Sequence, residues 1–492
     1  MPPLSSTTIS DTRRFGSMLL ALHSPAGQLF WMTIAAFALR LWTFGATGTQ
    51  DEQFYLQVGG AMWDGALPFV DIWDRKPIGL FLIYAAAHLL GSSTLAAQIM
   101  ASACAALTAF LAIRLARHAG ARRAAPLAGI AYLLYTCALG GEGGQSPLFY
   151  NLPVTAAALL ALKAIEDPAA PPRRLLLLGL GAMVLCGLAI QIKYTAMFEG
   201  VFLGLTLMHA TRRNGRPQGQ TLRWGAAWAS AGLAPTMLAL AVYAALGHGE
   251  AFVYANFLSI FGRSEPLGWA LGRLAGIGAI LSPLILCAVI ACRRRSNHPS
   301  RDFLRNWAIA AVTGFLVFGG YYVHYALPLV APLAIAAAPA FEGRGRTALA
   351  SLALAPAVVV AIGGIASADN RSTRDLDAIV QHTGVGPGAC LFVYEGPTRL
   401  YNIDDACRPT AFVFPSHLDN RKEMNALPVD PLAETRRILA ARPQAIVIAA
   451  KPRPGVTNMA TRDAVLQSLR RHYRLTGSAS WDGKSYHVYR LK

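Results

Sequence analysis

The sequence predicts an all-α polytopic membrane protein that ends in a smaller α/β domain, and three observations indicate this fold class. Of the 492 residues, 54% are hydrophobic and only 14% are charged, and the mean hydropathy is +0.39. A soluble domain carries about 25% charged residues, so this chain is too apolar for that class. Apolar runs long enough to cross about 30 Å of hydrocarbon recur up to about residue 368, where the composition becomes that of a soluble domain.

The apolar runs predict eleven transmembrane helices. They lie at 28–46, 94–114, 124–141, 150–164, 174–192, 196–210, 224–246, 272–292, 306–321, 325–341 and 346–367. The further run 77–91 is short, and we place it as a helix that lies on the outer surface or dips into it. Counting it as a span would reverse every later loop and put the arginines between positions 114 and 123 outside.

The distribution of charge gives the orientation. Of the 26 Lys and Arg residues before position 369, 20 fall on the side that also holds segment 1–27. Cytoplasmic loops are the ones enriched in Lys and Arg, so we expect the N-terminus inside, most simply in a bacterial inner membrane. The basic residues are spread over separate turns rather than gathered on one face, which argues against a nucleic-acid partner.

An odd number of spans places residues 369–492 on the outer side of the membrane, after a transmembrane domain of 28–368. This C-terminal part has 18 Lys and Arg and 12 Asp and Glu, and strand-like and helical patterns alternate along it. Strands are predicted at 389–394, 410–414, 445–449 and 486–490, and helices at 430–441 and 458–473. Its two cysteines, Cys390 and Cys407, either form a disulfide in an oxidising compartment or are two buried thiols.

The first outer loop, 47–93, carries the densest set of ionisable groups. Asp51 and Glu52 stand at its start as candidate catalytic acids. A carboxylate at a membrane edge can take a proton from an acceptor hydroxyl or hold a divalent ion. The alternative for an isolated acid is a solvated loop position, but a second charged cluster follows 22 residues later on the same surface.

That second cluster contains Arg75 and Lys76, which we expect to bind a lipid phosphate through charge-assisted hydrogen bonds. Pro77 suits the first turn of a helix, so the two bases would lie at a helix N-terminus, which favours anions. Anchoring of the surface helix at the membrane interface is the alternative.

Two further bases, Arg40 and Lys193, fall at membrane depth, where ionisable residues usually face a polar cavity. Both are therefore candidate phosphate-binding residues, although either could instead reach the outer headgroups. Other polar residues near the outer surface could line the same substrate cavity. They are Tyr55, Asp74, Glu142, Asn151, His324 and Tyr325.

The order of these pieces resembles the polyprenyl-phosphate-dependent membrane glycosyltransferases of the GT-C fold, which include protein mannosyltransferases and the aminoarabinose transferase of lipid A. The resemblance covers about 28–342. It rests on Arg40-Leu41, Asp51-Glu52-x-x-Tyr55, Asp74-Arg75-Lys76-Pro77-Ile78-Gly79-Leu80, Lys193-Tyr194-Thr195 and the His324–Leu333 segment. No resemblance is found for the C-terminal domain.

The resemblance implies transfer of a sugar from a polyprenyl-phosphate donor on the periplasmic face. Asp51 matches the family's catalytic acid, and Lys76 matches the phosphate-facing lysine of its Lys-Pro-Pro motif, with Ile78 in place of the second proline. Some relatives have an acid directly before that lysine, where this chain has Arg75. A divalent metal, with Asp51 as a ligand, is therefore left open, and no other cofactor is expected.

The sequence thus favours a membrane glycosyltransferase that moves a sugar from a polyprenyl-phosphate donor to a lipid, glycan or protein acceptor. A flippase for a lipid-linked sugar is the first alternative, but it is expected to contain broken helices in two related halves, and no internal repeat is found. A non-catalytic membrane scaffold with a periplasmic binding domain is the second, and it predicts no dependence on Asp51.

Overall fold

A computed structural model describes residues 24–45, 48–91, 93–169, 171–293, 299–342, 352, 354, 356–361, 363–364, 373–386, 388–402 and 406–492. Up to residue 342 these residues form helices packed on one another. They are α1 Pro25–Ala38, α2 Gln50–Trp63, α3 Ile78–Leu89, α4 Thr94–His118, α5 Ala125–Ala138, α6 Ser146–Ile165, α7 Pro172–Ile190, α8 Met197–Arg213, α9 Gln218–Ala245, α10 Gly249–Val253, α11 Leu267–Arg293, α12 Pro299–Phe318 and α13 Leu327–Phe341.

Within the described ranges, six helices are long and apolar enough to cross a membrane. They are Thr94–His118, Ser146–Ile165, Pro172–Ile190, Gln218–Ala245, Leu267–Arg293 and Val323–Phe341. Many of their apolar side chains are exposed, as expected for surfaces that contact lipid. The span 346–367 lies largely outside the described residues. The total of eleven spans and the orientation remain predictions.

The first outer loop contains two helices rather than one. The short helix predicted over 77–91 is present as α3, and α2 precedes it over the segment that holds Asp51. The position of α3 at the membrane surface remains a prediction. Helix α2 begins with a capping box, in which the Thr49 hydroxyl accepts from the Glu52 amide at 3.3 Å and the Glu52 carboxylate accepts from the Thr49 amide at 2.6 Å. This reciprocal pair satisfies two backbone donors and fixes where the helix starts.

The C-terminal α/β domain is confirmed. It comprises α14 Thr373–Thr383, β1 Leu391–Val393, α15 Ser416–Asp419, α16 Pro431–Ala440, β2 Ala445–Ala449, α17 Met459–His472, β3 Tyr473–Trp481 and β4 Lys484–Leu491. The described strands form one sheet in the order β1-β2-β4-β3, with β1 and β2 parallel and the other pairs antiparallel. Cys390 and Cys407 are joined by a disulfide with Sγ atoms 2.01 Å apart.

One strand prediction in this domain was wrong, and one strand was not predicted. Residues 410–414 form no strand. Their consecutive apolar residues instead pack on the first outer loop, where the Trp73 amide donates to the Ala411 carbonyl at 2.9 Å and the Trp73 ring contacts Phe412. Strand β3 was not predicted because its outer face is largely polar and exposed.

The C-terminal domain packs directly on the outer loops of the membrane domain. The Gln50 side-chain amide donates to the Gly396 carbonyl at 2.9 Å, and the Tyr254 hydroxyl donates to the Leu427 carbonyl at 2.8 Å. These contacts tie the domain to both the first outer loop and the segment after α10. The domain therefore forms a cover over the outer ends of the helices.

Candidate active site

A cavity of about 1030 Å³ lies between this cover and the helix ends. Its walls come from the start of α2, the loop before α3, the turn after α7, the segment between α10 and α11, the turn before α13 and the loop around α15. Parts of the chain more than 300 positions apart thus meet at one place. Among the residues predicted from the sequence, the cavity is lined by Asp51, Tyr55, Asp74, Arg75, Lys76, Lys193, His324 and Tyr325.

Asp51 lies in the first turn of α2, partly exposed on the cavity wall. No described residue forms a hydrogen bond or ion pair with its carboxylate. One turn later, on the same face of the helix, Tyr55 also lines the cavity. The Asp51 carboxylate is therefore free to accept a proton or a ligand from the cavity.

Two lysine side chains line the cavity, and the ammonium group of each lies over an aromatic ring. The Lys76 Nζ lies 5.5 Å from the Tyr55 ring centroid, and the Lys193 Nζ lies 4.2 Å from the Tyr325 ring centroid. Both separations suit cation–π attraction, which holds an ammonium group in place without neutralising it. The ammonium groups remain available to an anion.

The electrostatic setting of the two lysines differs. Burial alone would lower the pKa of Lys76, but the carboxylates of Asp74 and Asp51 outweigh it and raise that pKa. Lys193 lies in the turn after α7, where burial and the charge of Lys76 lower its pKa to about 7, against an opposing effect of Asp51. Lys76 is therefore a permanent cation, whereas Lys193 titrates near neutral pH.

A close backbone approach places these lysines in the same cavity. The Leu80 amide, at the start of α3, donates to the Gln191 carbonyl in the turn after α7 at 3.2 Å. A Cβ atom on Gly79 would lie 2.7 Å from that carbonyl oxygen, so only glycine fits without a shift. The absence of a side chain at Gly79 thus allows the turn after α7, which carries Lys193, to lie against the first outer loop, which carries Lys76.

Arg75 is fixed by the cover. Its guanidinium donates to the Glu423 carboxylate at 2.6 Å, and the Arg263 Nε lies 3.0 Å from the other oxygen of that carboxylate. Burial alone would raise the pKa of Glu423, but Arg75 and Arg263 outweigh it and lower that pKa. One carboxylate from the C-terminal domain therefore positions two arginines from different outer loops at the cavity wall.

Two further contacts close the cover. The His417 Nε2 lies 3.9 Å from the Asp74 carboxylate, and burial lowers the pKa of His417 to about 3, so its imidazole is neutral. The Lys422 ammonium donates to the Tyr322 hydroxyl at 2.7 Å and lies 3.4 Å from the Glu265 carboxylate. Both contacts join the C-terminal domain to loops of the membrane domain.

The cavity is strongly cationic. Lys and Arg contribute eight lining side chains, whereas Asp and Glu contribute four. An excess of bases in a partly buried cavity favours a phosphate-bearing ligand. In the described part of the chain, no three His, Cys, Asp or Glu side chains cluster as metal ligands. The donor set around Asp51 does not fit a protein-held metal centre.

Four predicted site residues lie outside this cavity. Arg40 is fully buried, and its guanidinium donates to the Gly141 carbonyl at 3.1 and 3.2 Å. The Glu52 carboxylate accepts hydrogen bonds from the amides of Thr49 and Gly144, which ties α2 to the loop between α5 and α6. The structure therefore does not bring Arg40 to the cavity of Lys76 and Lys193, or Glu52 to the same cavity as Asp51.

The other two lie in or just after the loop between α5 and α6. The Asn151 amide donates to the Tyr132 hydroxyl and to the Leu327 carbonyl at 3.3 and 3.2 Å, inside the helix bundle. The backbone carbonyl of Glu142 accepts from the Thr43 hydroxyl at 3.2 Å. From this segment, Gln145 and Ser146 reach the cavity instead.

Several cationic residues that line the cavity were not among the site residues predicted from the sequence. Arg263 and Arg273 were among the few bases on the predicted outer side, which is the signal that could have found them. Arg421, Lys422 and Arg453 come from the C-terminal domain, and nothing in the sequence indicates which face of that domain covers the membrane part.

Comparison with known proteins gives the fold. No family model and no curated protein sequence matches the chain. Solved structures do match. The structure of ArnT from Cupriavidus metallidurans bound to undecaprenyl phosphate is 14% identical with a TM-score of 0.64, over 94% of this chain and 97% of that one. The apo ArnT structure gives a TM-score of 0.65 at 14% identity, over 94% and 98% of the two chains.

A third match is the archaeal oligosaccharyltransferase AglB from Archaeoglobus fulgidus, in complex with an inhibitory peptide and a dolichol-phosphate. It is 12% identical with a TM-score of 0.52, over 86% of this chain and 69% of that one. At such identities the likeness establishes architecture, and the helices with their C-terminal domain align together. The chain therefore has the GT-C fold that these structures share, with helices long and apolar enough to cross a membrane.

Proposed function

We propose that this protein transfers a sugar from a polyprenyl-phosphate donor to a lipid, glycan or protein acceptor at the periplasmic face of a bacterial inner membrane. The observation that carries the proposal is that Asp51 and Lys76 line one cavity whose bases outnumber its acids two to one. The GT-C fold supports it, because the matched proteins include structures bound to undecaprenyl phosphate and to a dolichol-phosphate.

The proposed reaction follows from the chemistry of the lining groups. The oxygen of an acceptor hydroxyl bonds to the anomeric carbon of the sugar, and the bond between that carbon and the phosphate oxygen breaks. Its electron pair stays on the phosphate. The hydroxyl proton passes to Asp51, which acts as general base. A phosphate leaving group needs no protonation if cations stabilise its developing charge.

Lys76 is the main candidate for that stabilisation, because its pKa is raised and it stays charged at neutral pH. Lys193 and Arg75 would assist, and Arg263 is added by its position beside Arg75. The two lysines already experience each other's charge, since Lys76 lowers the pKa of Lys193. A bound phosphate would relieve that repulsion, which adds to its affinity.

The test is sugar transfer by the purified full-length protein in lipid nanodiscs. Undecaprenyl-phosphate sugars labelled in the sugar would be supplied with extracted cell-envelope lipids and proteins as acceptors. We expect label to move to an acceptor in the wild type, and to move at least about 100-fold more slowly in Lys76→Met. Asp302→Asn, an exposed acid in α12, serves as the control. Absence of transfer from every donor, or equal rates in Lys76→Met, would contradict the proposal.

A further inference from the structure

The disulfide between Cys390 and Cys407 closes a segment of the C-terminal domain that contacts α2. Cys390 lies directly before β1, and the Cys407 amide donates to the Ala389 carbonyl at 3.0 Å, so the chain leaves the end of β1 and returns to its start. The returning part is held as well by Tyr401, whose hydroxyl accepts from the Val393 amide at 2.9 Å. The segment between the two cysteines is therefore fixed at both ends.

Three hydrogen bonds join this segment to the first turn of α2. The Gln50 side-chain amide donates to the Gly396 carbonyl at 2.9 Å, and the Thr398 hydroxyl donates to the Gln50 carbonyl at 3.2 Å. The Arg399 amide donates to the Gln53 side-chain oxygen at 3.3 Å. The C-terminal domain thus holds two residues of that turn from one side.

Asp51 lies in the turn that is held in this way, with one bonded residue directly before it and the other two positions after it. The membrane domain holds the same turn from another side. There the Gln145 side-chain amide donates to the Thr49 hydroxyl at 3.1 Å, and the Glu52 carboxylate accepts from the Gly144 amide. The position of the Asp51 carboxylate therefore depends on contacts with both domains.

We infer that the Cys390–Cys407 disulfide is a positioning element of the reaction, because the segment that it closes fixes the turn that carries Asp51. The effect on transfer rests on the proposed function, in which Asp51 takes the acceptor proton. The disulfide joins positions 17 apart, and a closed loop has fewer conformations than an open one. Lys76 and Lys193 lie outside this turn, so opening the disulfide should slow the chemical step more than it weakens donor binding.

Reduction offers a reversible way to open the link. Both cysteines are half-buried, and Cys407 lines a second cavity, of about 1040 Å³, between α2 and the C-terminal domain, from which a small reductant can reach it. Dithiothreitol gives the Sγ–Sγ bond two electrons and two protons, which leaves two thiols, and is itself oxidised to a cyclic disulfide. Full activity is therefore expected only where the compartment is oxidising.

The first test measures kcat, and KM for an undecaprenyl-phosphate sugar, with the full-length protein in nanodiscs. We expect kcat to be at least about 10-fold lower in the dithiothreitol-reduced protein and in Cys390→Ser/Cys407→Ser, with KM within about threefold of the oxidised wild type. Dithiothreitol should not slow the double variant further, which controls for the five other cysteines. Equal kcat in oxidised and reduced protein, or an effect confined to KM, would overturn the inference.

Hydrogen exchange separates this inference from the proposed function, because it requires no sugar transfer. Opening the disulfide should speed exchange of the α2 amides over 50–56 at least about 10-fold, and those of α17 should keep their rate because the domain stays folded. Unchanged exchange in α2 would mean that the disulfide does not hold this helix. Equally faster exchange in α17 would mean that it only stabilises the domain as a whole. Either result would overturn the inference.

A second variant loosens the contact and leaves the disulfide in place. Thr398→Val removes the hydroxyl that binds the Gln50 carbonyl, and we expect kcat about fivefold lower. Thr435→Val is the matched control, because Thr435 is equally buried and its hydroxyl donates to the Pro431 carbonyl at 2.7 Å within α16. Its kcat should stay within about twofold of the wild type.

Combining the substitutions tests whether they act through one contact. Thr398→Val should slow the disulfide-free variant by less than about twofold, because the segment is already released there. A full further loss in the combined variant would show that the disulfide and Thr398 act independently, which would contradict the role assigned to the closed segment.

Discussion

The guanidinium of Arg75 lies 2.6 Å from the carboxylate of Glu423, although 348 positions separate them in the chain. The pair joins the first outer loop to the C-terminal domain. The same carboxylate lies 3.0 Å from Arg263, so the domain sets the position of two cations at the cavity wall. The cover is therefore part of the candidate active site as well as a lid over it.

The first prediction concerns this carboxylate. Glu423→Gln leaves Arg75 and Arg263 without a counter-charge where both are largely buried, so we expect the free energy of unfolding to fall by about 3 kcal/mol. Arg437→Gln removes an arginine whose side chain is 57% exposed from its pair with Glu434 in the same domain, which should cost about 1 kcal/mol. Thermal unfolding in detergent measures both. Equal midpoints for the two variants would contradict the role assigned to Glu423.

The second prediction compares Lys76 with Arg40, two bases that the sequence alone could not separate. Lys76→Met should weaken undecaprenyl phosphate binding by about 10-fold or more, because a charge-assisted hydrogen bond is lost. Arg40→Met should leave that affinity unchanged and lower thermal stability, since the Gly141 carbonyl loses its buried donor. Native mass spectrometry would report the affinities. Weaker lipid binding in a stable Arg40→Met protein would place Arg40 in the site after all.

These cases show what the sequence could predict. The spacing of Asp51 and Lys76 around one outer loop was sufficient to indicate a charged site. Arg40 and Lys193 were both predicted at membrane depth, but a buried hydrogen bond to Gly141 satisfies Arg40, whereas the turn after α7 leaves Lys193 facing the cavity. That difference depends on tertiary packing across about a hundred residues, which no local pattern encodes.

The residues that the C-terminal domain adds to the candidate site could not be predicted from the sequence for the same reason. The strand pattern at 410–414 was read as a local element, yet its apolar residues pack on Trp73 of another domain. Periodicity reports which side chains are buried and does not report what buries them. The α/β class of the domain could therefore be predicted. The face by which it packs on the membrane domain, and the contacts of Glu423 with Arg75 and Arg263, could not.

The third prediction concerns pH. Because burial and Lys76 lower the pKa of Lys193 to about 7, this lysine is charged below that pH and increasingly neutral above it. Affinity for undecaprenyl phosphate should therefore fall as pH rises, beginning above 7 since the bound anion raises the lysine's pKa. The expected fall is about fivefold. Lys193→Arg stays charged and should lack this step.

The comparison with Lys193→Arg also controls for protonation of the ligand phosphate, because that changes with pH in the same way in both experiments. The measurement is the dissociation constant of undecaprenyl phosphate from pH 6 to pH 9 in each. Parallel pH profiles for wild type and Lys193→Arg would show that Lys193 does not titrate against the ligand.

The fourth prediction concerns the close approach at Gly79. A methyl group there would lie 2.7 Å from the Gln191 carbonyl oxygen, so Gly79→Ala must push the lysine-bearing turn away from α3. We expect sugar transfer at least about 10-fold slower, because small displacements of charge-stabilising groups are costly. Gly272→Ala is the matched control, since nothing lies within 4 Å of the added methyl group. Equal rates in the two variants would show that the turn tolerates the shift.

The most direct test of the central claim, that Asp51 is the general base beside a cationic phosphate site, is the rate of sugar transfer by Asp51→Asn at saturating undecaprenyl-phosphate sugar. The variant keeps the size of the side chain and the fold of α2, and it should still bind undecaprenyl phosphate. We expect transfer to be slower by a factor of about 100 to 10,000. Transfer within a few-fold of the wild-type rate would contradict the account.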